Sequence, residues 1–164
     1  MTATSYDAIA EWYAANVQEG GAGAWAFPSL LALLGEIRGQ QICDLGCGEG
    51  RIARLLAQRG AQVVGVDRSA ALINTAQRLE AAHPLGIHYQ EDDAQSLTTI
   101  PDATFDGVVC GLALMDIPDL EATLRRLARA ETERLVCLFD HPSLFCRPSC
   151  ALVVTSRWRR SLGD

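Results

Sequence analysis

The chain has 164 residues, 49% of them hydrophobic and 21% charged, and a net charge of −6. That is one globular domain with enough bulk to bury a real core, and its acidic balance argues against non-specific binding to nucleic acid or to an anionic membrane. No apolar run approaches the ~18–20 residues of a membrane span, the first residues have neither the basic region nor the apolar stretch of a leader peptide, and none of the six cysteines sits in a Cys-x-x-Cys pair. The expectation is a cytoplasmic protein with no metal site.

In chain order, Tyr6 to Val17 has a helical pattern, with Ile9, Tyr13 and Val17 at four-residue spacing and Ser5 as a cap. Gly20-Gly21-Ala22-Gly23 is a break, and Pro28 starts a helix that carries Leu30, Leu31, Leu34 and Ile37 and stops at Gly39. Gln41 to Leu45 reads as a strand, Glu49 to Gln58 as a helix ended by Gly60, and Val63 to Asp67 as a second strand. Ser69 caps a helix to about Ala82; Ile87 to Glu91 and Thr104 to Gly111 are strands three and four. Asp119 caps a helix with Leu120, Leu124 and Leu127 on one face, and Leu135 to Phe139 is strand five. Cys43, Cys110 and Cys137 fall inside strand patterns and read as small buried hydrophobes. Strands alternating with helices define an α/β fold, a doubly wound, mostly parallel sheet covered on both faces. Right-handed crossovers put a ligand at the carboxyl ends of its strands, near the switch in strand order.

The stretch with the most chemical content is Ile42-Cys43-Asp44-Leu45-Gly46-Cys47-Gly48-Glu49-Gly50. Glycines at alternating positions let the chain turn from strand into helix and let a ligand approach the main chain, while the free N–H groups of the new helix face that ligand. The dinucleotide pattern G-x-G-x-x-G needs a third glycine where Arg51 stands, which disfavours a nicotinamide dehydrogenase. Asp67 ends its strand about 20 positions after the loop, where a carboxylate can accept ribose hydroxyls.

The form D-x-G-x-G-x-G resembles motif I of the class I S-adenosylmethionine-dependent methyltransferases. Glu91-Asp92-Asp93-Ala94-Gln95-Ser96-Leu97, Phe105-Asp106-Gly107-Val108-Val109-Cys110 and Ile117-Pro118-Asp119-Leu120 resemble later motifs of that family, in its small-molecule, type II methyltransferase-domain branch. The resemblance implies binding of S-adenosylmethionine, released as S-adenosylhomocysteine, and transfer of its methyl to a small-molecule acceptor. It places the cofactor on Gly46, Cys47, Gly48 and Gly50, with Asp44 at the methionine amino group or bracing the loop. Asp67 with Arg68 would take the ribose, Asp93 with Ala94 the adenine, and the strand-four end at Cys110 the remaining side. Tyr6 and Tyr13 resemble the tyrosines of an N-terminal cap, and Trp12 and Trp25 could line a substrate cavity. Candidates for a base are His141, after strand five, and Tyr13; Asp116 stands where relatives often have histidine, which argues against a base at that position. Asp92 is the lesser candidate beside Asp93 for the adenine and reads nearly as well as part of a solvated acidic loop, and Arg125, Arg126 and Arg129 read as a solvated helix face.

The division implied is a cap over residues 1–40, a cofactor-binding core over 41–145 and an atypical tail over 146–164. Two features depart from the family: Ala130 to Arg134 contains no Pro-Gly-Gly turn, and the tail, with four Arg and no Lys or Glu, does not resemble the family's closing hairpin. Ala151 to Thr155 could form a strand, and Cys146 and Cys150 could pair only outside a reducing cytosol. The composition suggests a chain shortened or altered after strand five, with an exposed edge beside that strand through which copies could associate. The rival function is a non-catalytic binder of the same cofactor.

Overall fold

The computed structural model describes residues 4–18, 27–138 and 151–155. His141, Trp25, Cys146, Cys150 and the Gly20 to Gly23 break lie outside the described residues. The elements are α1 (Ala10–Gln18), α2 (Phe27–Leu34), β1 (Gln41–Leu45), α3 (Arg51–Gln58), β2 (Gln62–Asp67), α4 (Ala70–Ala82), β3 (His88–Glu91), β4 (Phe105–Gly111), a 3-10 turn (Leu114–Asp116), α5 (Leu120–Ala130), β5 (Glu131–Leu138) and β6 (Ala151–Thr155). One six-stranded sheet runs in the order β3-β2-β1-β4-β5-β6. Five strands are parallel, and β6 is antiparallel to β5. The strand order reverses between β1 and β4, which creates the crevice where open α/β sheets bind ligands.

Period-two alternation splits the strands between two cores. Ile42, Val109 and Val136 face one side, where Leu30, Leu34, Ile52, Leu56 and Ile73 cover them. Cys43, Val108, Cys110, Leu135 and Cys137 face the other, against Leu97, Phe105 and Leu127. The three strand cysteines are buried free thiols in this second core, as their apolar surroundings predict.

Four local departures from the sequence reading have physical causes. The first helix begins at Ala10 rather than Tyr6, because Thr4 and Asp7 hydrogen-bond to each other's backbone N–H and offer the chain a turn in place of a helix. The second helix ends at Leu34, since Gly35 takes φ 66; Ile37 lies beyond it yet is buried in the core. The third begins at Arg51, not Glu49, because Gly50 at φ 85 is its N-cap. β6 pairs along β5 from Leu138 to Arg134, so the edge beside strand five is covered and the outer strands of the sheet are β3 and β6. The missing Pro-Gly-Gly turn has a simple counterpart: α5 runs to Ala130 and β5 begins at Glu131. No helix among the described residues is long and apolar enough to cross a membrane.

Residues 4–9 form a strap tied to the core. Asp7 Oδ1 accepts the Ser69 hydroxyl at 2.6 Å and the Ala71 N–H at 3.2 Å, at the first turn of α4. Ser69 also caps that helix by accepting the Leu72 N–H. The Ser69 bond, then those from the backbone of Thr4 and Ala71, holds the Asp7 carboxyl at about 2.

Candidate functional site

A cavity of about 290 Å³ lies at the carboxyl ends of β1, β2 and β4, beneath the strap. Its walls include Gly46 and Gly48 of the glycine loop, Asp67 and Arg68 after β2, Asp92 to Gln95 after β3, and Gly111 to Ala113 with Asp116 after β4. Tyr6 and Tyr13 form the roof.

The glycine loop is held against β2. The N–H groups of Gly46 and Cys47 donate to the Val66 carbonyl, at 2.8 and 3.0 Å. Asp67 Oδ2 accepts the Gly48 N–H and its Oδ1 accepts the Ser69 N–H, both at 2.8 Å. Each oxygen keeps a lone pair for a hydroxyl donor. Burial raises the Asp67 pKa, and the Ser69 and Gly48 amides oppose the rise.

The three glycines have different surroundings. A Cβ on Gly46 would stand 2.3 Å from the Ala113 Cβ, so this glycine lets the β1 and β4 ends close together. At Gly48, φ +56, a Cβ would meet only Tyr13 Cε1, at 3.7 Å, so this glycine faces open space under the roof. At Gly50 a Cβ would meet the Tyr89 ring, 2.3 Å from its hydroxyl, so this glycine makes room for core packing. Gly50 is not part of the cavity wall, and neither are Asp44, Cys47 or Cys110. Cys47 lines a smaller void of about 40 Å³ beside the loop, and burial holds its thiol well above the ordinary value.

On the β3 side, Asp93 Oδ1 accepts from the Gln95 backbone and side-chain amides at 2.9 and 3.0 Å, and Arg68 Nε is 3.7 Å from its Oδ2. Ala94 sits beside it in the wall. Asp92 is not a solvated residue, as the run of acids suggested. It is buried, and it accepts from Thr98, from Thr99 and from the Asp93 N–H. Burial alone would raise its pKa, but the hydroxyl and N–H of Thr99 hold it below the ordinary value. Arg126 is a second correction. Its guanidinium donates to the carbonyls of Ser96, Leu97 and Ile100 and pairs with Asp102 at 2.7 Å, clamping the loop that follows Asp93 onto α5.

On the β4 side, Tyr6 donates its hydroxyl to Asp116 Oδ2 at 2.8 Å. Tyr6 and Tyr13 pack edge to face, with ring centroids 5.4 Å apart. Burial, then the bond to Asp116, pushes the Tyr6 phenol up, and burial does the same for Tyr13, so neither is an ionised base near neutral pH. Trp12 is 65% exposed on α1 and is not part of the cavity wall.

Asp44 precedes the glycine loop and Glu49 lies within it. Asp44 is wholly buried with neither oxygen in a hydrogen bond. Burial pushes its pKa up to about 7; the Ala53 N–H opposes this without reaching hydrogen-bond geometry, and the nearby Glu49 and Asp67 carboxylates add to it. Sequence reasoning gave no role to Glu49, Gln95, Asp7 or the Tyr6–Asp116 bond. Of these, only Glu49 carried a local signal, as a carboxylate inside the glycine loop.

An open parallel sheet with a glycine loop, a strand-end carboxylate and a cavity at the switch point defines a doubly wound nucleotide-cofactor-binding domain. Residues 42–132 match the family described as Methyltransferase domain, more than half of the chain. The chain belongs to that family, among the class I S-adenosylmethionine-dependent methyltransferases. It is 37% identical over 94 residues to a ubiquinone biosynthesis O-methyltransferase of Albidiferax ferrireducens, covering 56% of this chain and 37% of that protein. It is 40% identical over 96 residues to a 2-phytyl-1,4-naphtoquinone methyltransferase of Synechococcus elongatus, covering 56% and 41%. A solved S-adenosylmethionine-dependent methyltransferase of Mesorhizobium loti superposes with a TM-score of 0.66 at 30% identity, over 84% of this chain and 66% of that one. The chain therefore spans about two fifths of the length of these curated relatives.

Proposed function

We propose that this domain binds S-adenosylmethionine in the cavity of about 290 Å³ and acts as a methyltransferase on a small-molecule acceptor. The observation that carries the reading is the convergence of Gly48, Asp67 and Asp93 on one cavity at the strand-order switch. The residues fit the cofactor: Gly48 leaves open a cradle that a side chain would enter, and Asp67 and Asp93 keep lone pairs for ribose hydroxyls and an adenine amine. Gly46, Arg68, Ala94, Tyr6 and Tyr13 complete the enclosure. Cys47, Gly50 and Cys110 support it from behind, Gly50 through its contact with Tyr89 and Cys110 through the second core.

When bound, the cofactor supplies an activated sulfonium methyl that transfers by direct displacement. The chain's own residues align and enclose. Tyr6 and Tyr13 roof the cavity and limit water, while the Asp7–Ser69 and Tyr6–Asp116 bonds fasten the roof on two sides. Asp116 lines the cavity and is exposed, which supports a role for its free Oδ1 toward a hydroxyl or amine acceptor. The names of the relatives support an acceptor related to a quinone.

In this reading the cap of residues 1–40 reduces to the strap and α1, because α2 and Ile37 pack in the core of residues 41–145, and the segment 146–164 contributes β6 to the core sheet. The protein is cytoplasmic, in keeping with its free core thiols, and its net charge of −6 disfavours nucleic acid as a partner. Association of copies along the sheet would use β3 or β6. Calorimetric titration with S-adenosylhomocysteine tests the core of the proposal. Saturable binding is expected, weakened roughly tenfold or more, about 1.4 kcal/mol, by Asp67→Ala. A folded wild-type protein that binds none of it would refute the reading.

A further inference from the structure

The loop after β3 holds a carboxylate whose two oxygens have different surroundings. Asp93 Oδ1 accepts the backbone N–H of Gln95 at 2.9 Å and its side-chain Nε2 at 3.0 Å. An ionised carboxylate offers about two acceptor sites on each oxygen, so Gln95 alone fills Oδ1. The same Nε2 reaches Oδ2 at 3.2 Å, and Arg68 Nε lies 3.7 Å from Oδ2, beyond hydrogen-bond distance. Oδ2 is therefore the oxygen left for a donor in the cavity, which Asp93 and Gln95 both line.

The Gln95 amide is itself fixed from outside the loop. Its Oε1 accepts the backbone N–H of Asp119 at 3.1 Å, and Asp119 Oδ1 accepts the Ala122 N–H in the first turn of α5. Turned over, the amide would set its oxygen against the Asp93 carboxylate and its NH2 against the Asp119 N–H. One orientation satisfies both neighbours, so the rotamer of Asp93 is tied to the start of α5, 24 positions along the chain from Gln95. Without this brace Asp93 has somewhere else to go: its side chain is 24% exposed, and Arg68 stands on the Oδ2 side to draw it away.

We propose that Gln95 is a positioning residue for the base of the cofactor. By filling Oδ1 and bridging to Asp119, it holds Oδ2 toward the exocyclic amine and so sets the preference for an amino-bearing purine. This rests on the cofactor reading given above. The family resemblance supplies Asp93 as the adenine contact and leaves open what fixes that carboxylate. A ligand without the amine leaves Oδ2 unmatched inside the site, and its rejection depends on Oδ2 being unable to turn elsewhere. A glutamine that merely stapled the loop would, on removal, lower the affinity for every nucleoside alike.

S-adenosylhomocysteine and its 6-deamino analogue, with hydrogen in place of the amine, isolate that contact. Calorimetry on the wild type should show a preference of roughly tenfold or more for the amino ligand. Gln95→Ala should reduce the preference to within about threefold by weakening S-adenosylhomocysteine, while the analogue stays within about twofold of its wild-type affinity. Gln95→Glu keeps the side-chain length and the backbone N–H bond but sets a carboxylate against Asp93, so it should lose the preference as well. Equal losses toward both ligands in Gln95→Ala, or a preference kept in that variant, would overturn the proposal. Should Gln95→Ala not fold, the ratio in Gln95→Glu decides by the same limits, and a wild-type preference below about twofold overturns the assignment whatever the variants do. A wild-type protein that binds neither ligand overturns the cofactor reading itself, and that result is distinct from a lost preference.

Discussion

Gly48→Ala and Gly50→Ala should fail in different ways, although both place a methyl on a left-handed glycine of the same loop. At Gly48, φ +56, the new Cβ meets only Tyr13 Cε1 at 3.7 Å, an ordinary contact. Its stability cost is the backbone strain alone, roughly 1–2 kcal/mol. At Gly50, φ +85, the Cβ would lie 2.3, 2.6 and 2.7 Å from three atoms of the Tyr89 ring. That ring is buried and also packs against Gly65, so it has little room to withdraw. Overpacking of roughly 1–3 kcal/mol adds to the strain, for a total of roughly 2–5 kcal/mol, a large share of the ~5–15 kcal/mol that holds a domain folded. Urea unfolding measures these losses, and titration with S-adenosylhomocysteine measures the site. Gly48→Ala should be the milder variant in urea and lose binding by roughly tenfold or more; Gly50→Ala should be the weaker fold and keep binding where it remains folded. Adding Tyr89→Ala to Gly50→Ala should give less than the sum of the two losses, because the collision is gone. The reasoning is refuted if Gly48→Ala destabilises as much as Gly50→Ala, or if binding is lost in Gly50→Ala and kept in Gly48→Ala.

Two further outcomes are expected. Asp44 has a folded-state pKa of about 7 against an ordinary 3.8, so the folded protein holds a proton that the unfolded chain releases between those values; stability should therefore fall as pH rises from about 4 to about 7, by at most roughly 4 kcal/mol from this group. Asp44→Asn should flatten that fall in thermal melts of the ligand-free protein, leaving the smaller part due to Glu49 and Asp67, which are raised in the same direction; an unchanged slope would sink the assignment. Arg126→Ala should cost roughly 2–4 kcal/mol, because three loop carbonyls lose their charged donor at once. Arg126→Lys should recover less than half of that in urea melts, since an ammonium cannot reproduce the planar fork.

The strands and the glycine loop were legible because their signals are local. Alternating cysteine and branched aliphatic residues in β1, β4 and β5 specify two buried faces, and Ser69 caps α4 as its position before an apolar helix predicts. The fastening of the roof was not legible. Asp7 meets Ser69 across 62 positions and Tyr6 meets Asp116 across 110, and no pattern within one segment encodes such a pairing. Arg126 was misread for the same reason: its helix looked like a solvated face until the loop from Ser96 to Asp102 folded onto it.

The loop itself shows where a motif stops being informative. In sequence its three glycines look equivalent, with Asp44 two positions before the first and Glu49 between the second and third. In the fold, Gly46 admits Ala113, Gly48 faces the cavity and Gly50 admits Tyr89. Glu49 lines the small void, whereas Asp44 is wholly buried. Motif spacing fixes where the loop lies on the sheet, because strand and helix set that. The role of each residue is fixed by what its Cβ faces, and in this loop that depends on Ala113, Tyr89 and Tyr13, which lie in three other segments. A substitution that keeps the motif but alters one of those three should therefore change the site as surely as a change within the motif.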